Sequence, residues 1–263
     1  MNKISISPGK IAAALTAIVT VLTVTGVAGQ YYKEILDIYP SLLKVVDSLN
    51  PNGASDNLLN WYQSSTLLFS SFLLITIALV KRAERDNRVR YWIFLAITFL
   101  YLSLEELTSI HEQAMFALRR VFTVDEPVFL EWLIPAILTA VFFLSYLNFL
   151  RSLPARIRRL LIAAGSVYAT GAIGIDALNI KLLDMLDTEI TSFITSGSTA
   201  FKYALMGGIE EFFEMAGIVI FIYALTAYIN SEIIDKSFVN NKKNFVFASM
   251  KISLEKTEIM RKN

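Results

Sequence analysis

Two apolar segments of this chain are interrupted by carboxylates, and one of them also carries the single histidine. The stretch SLEELTSIHEQ, residues 103–113, follows the apolar run YWIFLAITFLYL, and the stretch EEFFEMAG, residues 210–217, lies inside a second long apolar run. With one aspartate from a third run, the candidate site residues are Glu105, Glu106, His111, Glu112, Asp176, Glu210, Glu211 and Glu214. Several carboxylates with one imidazole form a hard ligand set that suits Fe, Mn or Ca, with Zn as a further option. The pattern therefore favours a divalent metal site.

The elements that must position these residues are membrane-spanning helices. Of the 263 residues, 55% are hydrophobic and only 18% are charged, which is unlike a soluble domain of this length. The apolar residues are grouped in runs of about 20, the length that a helix needs to cross a bilayer. There is no cysteine, which excludes a disulfide framework and a thiolate metal site. The sequence predicts an all-α integral membrane protein.

The apolar runs predict a bundle of six transmembrane helices within residues 1–232, followed by a cytoplasmic tail, 233–263. The six spans are expected near 11–29, 58–80, 91–111, 130–150, 160–180 and 203–229. For the first, an uncleaved anchor is favoured over a cleaved signal peptide because its apolar stretch is longer than the usual core of such peptides. Residues 30–57 and 181–201 have apolar residues at helical spacing and predict interfacial helices on the outer side. In the tail, 246–255 alternates like a strand.

The distribution of basic residues predicts the orientation of the spans. The N-terminus, 81–90, 151–159 and 232–263 together hold 18 of the 24 Lys and Arg residues. Because basic loops stay on the cytoplasmic side, both termini are expected in the cytoplasm.

The height of each acid along its span predicts that the candidate residues lie together. With a rise of ~1.5 Å per residue, Glu105 and Glu214 each lie ~21 Å above the cytoplasmic end of their spans, and Asp176 lies ~24 Å up. An isolated carboxylate at membrane depth costs about 2.5–3.5 kcal/mol on insertion scales. These side chains must therefore face one another, a cation, a proton or a water-filled cavity.

The helical faces refine this expectation. Glu210 and Glu214 lie one turn apart on one stripe. In the earlier segment, Glu105 and Glu112 share a face, while Glu106 projects about 100° to one side and His111 about 120° to the other. Either that helix is distorted, as at a π-bulge, or one member faces elsewhere. We expect Glu105, Glu112, Glu210 and Glu214 to meet in one cavity, with Asp176 at its wall.

The segments SLEE and HE, followed by a later EEFFEMAG span, resemble a group of uncharacterised bacterial multi-pass membrane proteins. The resemblance rests on these two segments and on the layout of the spans, and it carries no known activity. The resemblance implies that the two segments form one site and that the protein lies in the inner membrane of a bacterium.

Three functions remain open at this point. A bound metal could support redox chemistry, hydrolysis of a lipid-like substrate, or transport. The acids could instead carry protons or cations across the bilayer, or they could only hold the helices together in an accessory subunit of a larger complex or oligomer. No Gly-rich phosphate loop or dinucleotide fingerprint is present. The basic loops fit the orientation rule fully, so they give no indication of nucleic-acid binding.

Overall fold

The computed structural model describes residues 7–38, 47–50, 57–110, 127–175, 177–178 and 197–234. Within these ranges the chain forms helices and no strands. The helices are α1 (Pro8–Glu34), α2 (Leu58–Ala83), α3 (Val89–Thr108), α4 (Pro127–Arg151), α5 (Ala155–Ala169) and α6 (Gly197–Tyr228). Two π-helical segments, Thr170–Ile175 and Ile229–Ile234, continue α5 and α6. The predicted all-α fold is confirmed for the described ranges.

Four of the described helices are long and apolar enough to cross a membrane: Pro8–Glu34, Leu58–Ala83, Val89–Thr108 and Ala200–Ile234. The part of α4 from Ile137 to Arg151 is apolar but shorter. The first helix continues through residues 30–34, so the start of the expected interfacial segment belongs to α1 instead. Half of that segment, most of 181–201 and the whole strand-like stretch 246–255 lie outside the described residues.

The last helix, α6, packs against α1, α2, α5 and the π segment that follows α5. Its residues Ile222, Ala224 and Leu225 are fully buried. The contact with α5 is close because a Cβ atom added at Gly217 would lie only 2.8 Å from the Tyr168 nitrogen and 2.9 Å from the Ala164 carbonyl oxygen. Small residues permit such backbone contact between helices in a membrane.

Helices α2 and α3 form an antiparallel pair held by buried hydroxyl groups. The Ser64 Oγ donates to the Ser103 carbonyl oxygen at 2.7 Å, and the Ser103 Oγ donates to the Ser64 carbonyl oxygen at 2.9 Å. Further along, the Ser71 Oγ donates to the Ala96 carbonyl oxygen at 2.8 Å. Hydrogen bonds of this kind fix the relative positions of two apolar helices, which hydrophobicity alone does not fix within lipid.

Most of the described basic residues lie at one end of the helices, which we name the basic end. One cavity there is lined by the end of α2, the start of α3, the end of α4 and the end of α6, and a second by the starts of α1 and α5 with the end of α6. In the loop between α2 and α3, the Arg88 guanidinium donates two hydrogen bonds to the Asp86 carboxylate, of 2.9 and 3.0 Å. Those bonds hold the pKa of Asp86 below its usual value.

Candidate functional site

The side chain of Gln63 joins three helices at the end opposite to the basic end. It is fully buried, and its Nε2 donates to Glu106 Oε1 at 2.8 Å and to Glu214 Oε2 at 2.5 Å. The amide nitrogen has two hydrogens, and both are used in these bonds. If the amide were rotated by 180°, its oxygen would face the two carboxylates in place of its nitrogen. The two hydrogen bonds therefore also fix the position of Oε1.

The other described acids of α3 and α6 lie near this link. The charges of Glu106 and Glu210 act on Glu211, and the charges of Glu211, Glu106 and Glu210 act on Glu214. We name the group formed by Glu105, Glu106, Glu210, Glu211 and Glu214 the carboxylate cluster. Since several like charges in a buried place repel one another, the cluster needs positive charge nearby, from a proton, a basic side chain or a metal ion.

A tyrosine of α5 completes the surroundings of the cluster. The charges of Glu214, Glu106, Glu211 and Glu105 all act on the Tyr168 phenol. Its position follows from the close packing of α5 against α6 at Gly217, described above. The cluster is therefore bordered by four helices: α2, α3, α5 and α6.

The π segment Thr170–Ile175 touches the cluster through a glycine. A Cβ atom added at Gly171 would lie 2.8 Å from the Glu210 carbonyl oxygen and 3.0 Å from Glu214 Cγ. A π turn changes which residues of a helix face its neighbour, and such turns are frequent at functional sites. The sequence had suggested a π-bulge only in the third span, whereas this π segment follows α5.

Helix α3 itself stays regular and ends early. Ser109 has a left-handed backbone with a φ of 45°, and its N–H donates to the Glu105 carbonyl oxygen at 2.8 Å. This is a simple left-handed cap, which satisfies a carbonyl at the helix end. The helix therefore ends at Thr108, before His111, whereas the expected span ran to residue 111.

Two buried oxygen atoms beside the cluster have no hydrogen-bond partner within the described ranges. They are Gln63 Oε1 and Glu211 Oε2. A buried acceptor without a partner costs about 1–3 kcal/mol, so such atoms need an explanation. Both are hard oxygen donors, and each would gain from a cation or a hydrogen-bond donor placed next to it.

The eight residues proposed from the sequence divide into two groups. Glu105, Glu106, Glu210, Glu211 and Glu214 are described, and they form the carboxylate cluster. His111, Glu112 and Asp176 lie outside the described residues. Among the residues that are described, no three His, Cys, Asp or Glu side chains are arranged as a set of metal ligands. The described carboxylates alone therefore do not make up a set of metal ligands, and the metal site stays a prediction.

Sequence reasoning missed Gln63 and Tyr168. The start of α2 does carry a signal, since Asn57, Asn60, Gln63 and Ser64 recur at helical spacing within an apolar helix. Asn60 also contacts α3, because its Nδ2 donates to the Glu106 carbonyl oxygen at 3.3 Å. Tyr168 gives no comparable signal, since one aromatic residue in an apolar run is usually part of the core.

The chain matches one protein-family model over most of its length. The family model DUF8692, a domain of unknown function, matches residues 12–229. The chain belongs to this family. The DUF8692 match includes Gln63, Tyr168 and all eight candidate residues, and the tail from residue 230 onward lies outside it. No curated protein and no solved structure matches the chain.

Proposed function

We propose that this protein is a multi-pass protein of the bacterial inner membrane that binds one divalent metal ion at the carboxylate cluster. The observation that carries the proposal is the pair of buried oxygens, Gln63 Oε1 and Glu211 Oε2, without a partner in the described ranges. Both atoms are buried oxygen donors at a group of like charges, and a divalent ion would supply two positive charges at one point.

The four long apolar helices and the exposed apolar surface support placement in the membrane. Val21, Phe72, Ile97, Leu138 and Leu144 are each more than half exposed. In water such residues would form a costly surface, whereas lipid tails solvate them well. In this proposal six helices span the bilayer, the basic end faces the cytoplasm, and the carboxylate cluster lies in the outer half of the bundle.

Each residue of the site has a defined task in this proposal. Glu211, Glu214 and Gln63 Oε1 would hold the metal, while the Gln63 amide nitrogen orients Glu106 and Glu214. The partner hydrogen bonds of ligating carboxylates are a recurrent feature of metal sites. His111 and Glu112 follow the end of α3 in the sequence and would complete the ligand set. The bound metal, Fe, Mn, Zn or Ca, would supply a Lewis acid or, for Fe and Mn, redox chemistry.

Transport receives less support from the described part of the chain. Towards the basic end, Thr66, Ser70 and Ser71 on α2 all donate to backbone carbonyl oxygens. Beyond them Leu74 and Ile77 are fully buried. Hydroxyl groups engaged in this way stabilise helices and do not by themselves make a route for ions. Purified protein without bound metal would instead indicate an accessory role.

Metal content tests the proposal directly. Protein purified in detergent without chelator is expected to contain about one metal per chain, because a structural site is close to fully occupied. Removing the metal should lower the melting temperature, since binding to the folded state alone contributes about 2.7 kcal/mol at a ligand concentration of 100 Kd. Elemental analysis and a thermal melt with and without chelator measure both effects.

Matched variants locate that metal. Glu214→Gln and Glu211→Gln should each lower the bound metal several-fold, whereas Glu84→Gln, a half-exposed residue at the basic end, should leave it unchanged. A metal content below roughly 0.1 per chain, together with a melting temperature that chelator does not move, would refute the metal site.

The orientation gives a separate prediction. Reporter fusions after Lys81, Arg159 and Lys236 should all report a cytoplasmic position, because these sites belong to the four basic segments. A fusion within 30–57 or 181–201 should report the opposite side. A periplasmic signal from any of the first three fusions would contradict the orientation.

A further inference from the structure

A cavity of about 340 Å³ opens at the basic end, far along the helices from the carboxylate cluster. Trp92, Phe149 and Tyr228 form its aromatic wall, and all three side chains are almost completely buried in the fold. The ring of Trp92 lies 4.9 Å from that of Phe149 and 5.1 Å from that of Tyr228, centre to centre. The volume is within the range of about 300–1,000 Å³ typical of sites for small ligands.

Two cations on the cavity wall are held in fixed positions. The Lys81 ammonium is largely buried, lies 2.6 Å from a carboxylate oxygen of Glu84, and lies 5.9 Å from the centre of the Tyr228 ring. The Arg88 guanidinium donates two hydrogen bonds to the Asp86 carboxylate, and its Nη1 donates to the Ser152 carbonyl oxygen at 3.5 Å. An ammonium has three donors and a guanidinium has five, so both retain capacity for an anionic oxygen.

The cavity lining carries charges of both signs. Lys81 and Arg88 contribute two positive charges and Asp86 and Glu232 contribute two negative charges, while Glu84, which pairs with Lys81, lies outside the lining. A purely anionic ligand would face the two carboxylates, and a purely cationic one would face Lys81 and Arg88. A ligand that carries both signs matches the wall, and aromatic rings add affinity for its ammonium group.

We infer that this cavity binds the headgroup of a zwitterionic phospholipid. The phosphate lies against Lys81 and Arg88, and the ammonium lies over the aromatic wall towards Asp86 and Glu232. The inference uses the membrane placement in the proposed function, because the basic end then lies at the level of lipid headgroups. It does not use the metal, so metal analysis and lipid binding can fail independently.

The fluorescence of Trp92 provides the readout. The chain has three tryptophans, and Trp61→Phe with Trp132→Phe leaves Trp92 alone in the cavity wall. Detergent-solubilised full-length protein is titrated with short-chain phosphatidylethanolamine, with phosphatidylglycerol of the same chain length, and with soluble phosphoethanolamine. We expect a saturable change with phosphatidylethanolamine at a concentration about tenfold or more below that of phosphatidylglycerol, because the missing ammonium removes one charge-assisted contact worth about this factor. Soluble phosphoethanolamine carries both charged groups but no acyl chains, so it should require a higher concentration than phosphatidylethanolamine.

Charge variants separate recognition from folding. Arg88→Gln should weaken phosphatidylethanolamine binding about tenfold, while Arg85→Gln, in the same loop but outside the cavity lining, should leave it unchanged. Glu232→Gln makes the wall net positive, so it should shift preference from phosphatidylethanolamine towards phosphatidylglycerol even if the melting temperature changes. An equal response to both lipids, an equal response to soluble phosphoethanolamine, or no preference shift in the Glu232 variant would overturn the inference.

Discussion

Gln63→Leu is expected to lower the free energy of unfolding by about 1–3 kcal/mol, although it replaces a polar residue by an apolar one within an apolar helix. Two hydrogen bonds to buried carboxylates are lost, from α2 to α3 and from α2 to α6. Hydrogen bonds between membrane helices average about 0.6 kcal/mol and reach about 1.7 kcal/mol, since the separated helices also find partners. Bonds to carboxylates belong to the upper part of that range.

The measurement is thermal or denaturant unfolding in one detergent, with bound metal determined on the same samples. Gln30→Leu is the matched control, because Gln30 is also buried on a spanning helix but its Nε2 has no partner within the described ranges. The control should change stability little. If both variants behave alike, the link between the three helices does not stabilise the fold, and Gln63 is not a member of the site.

Gly171→Ala is expected to destabilise the protein by about 2 kcal/mol and to reduce bound metal. The added methyl group would meet the Glu210 carbonyl oxygen at 2.8 Å and the Glu214 backbone nitrogen at 3.1 Å. Because these neighbours are backbone atoms of α6, they cannot move aside as the tip of a side chain could. Overpacking of this kind costs about 1–3 kcal/mol, which exceeds the gain of up to ~1 kcal/mol from replacing glycine by alanine in a helix.

Gly174 supplies the control within the same π segment. A Cβ atom added there meets only Thr170 Cγ2, at 4.0 Å, which is an ordinary contact. Gly174→Ala should therefore leave metal content unchanged and keep or raise the melting temperature. Equal effects of the two substitutions would mean that the approach of α5 to α6 is not what positions Glu214.

The sequence predicted the helical class and the four long apolar helices that the described ranges contain, because these depend on composition. Counting residues predicts Glu105 and Glu214 in one slab, and the structure links the neighbouring Glu106 to Glu214 through Gln63. Gln63 was missed because its side chain is not ionisable, and the prediction of the site rested on ionisable side chains. Counted from Ala83, it lies ~30 Å along α2, close enough to that slab to have been considered.

The direction of each side chain was harder to predict than its height. The projection onto an ideal helix set Glu106 apart from the face shared by Glu105 and Glu112. Helix α2 instead meets the side of α3 that carries Glu106, whose carboxylate accepts a hydrogen bond from Gln63. The π segment in α5 could not be read from its residues either, since it depends on how Gly171 packs against α6. Both features follow from tertiary contacts that no local pattern encodes.

The order of the helices along the chain has a consequence for biosynthesis. Gln63 and Glu106 belong to α2 and α3, which are made early and are joined by reciprocal serine bonds. Glu214 belongs to α6, which the ribosome completes more than a hundred residues later. Until then one hydrogen of the Gln63 amide lacks the acceptor that Glu214 supplies. In the membrane placement proposed above, a chain truncated before α6 therefore leaves this polar group unsatisfied in lipid, a feature by which membrane quality control could distinguish unfinished molecules from complete ones.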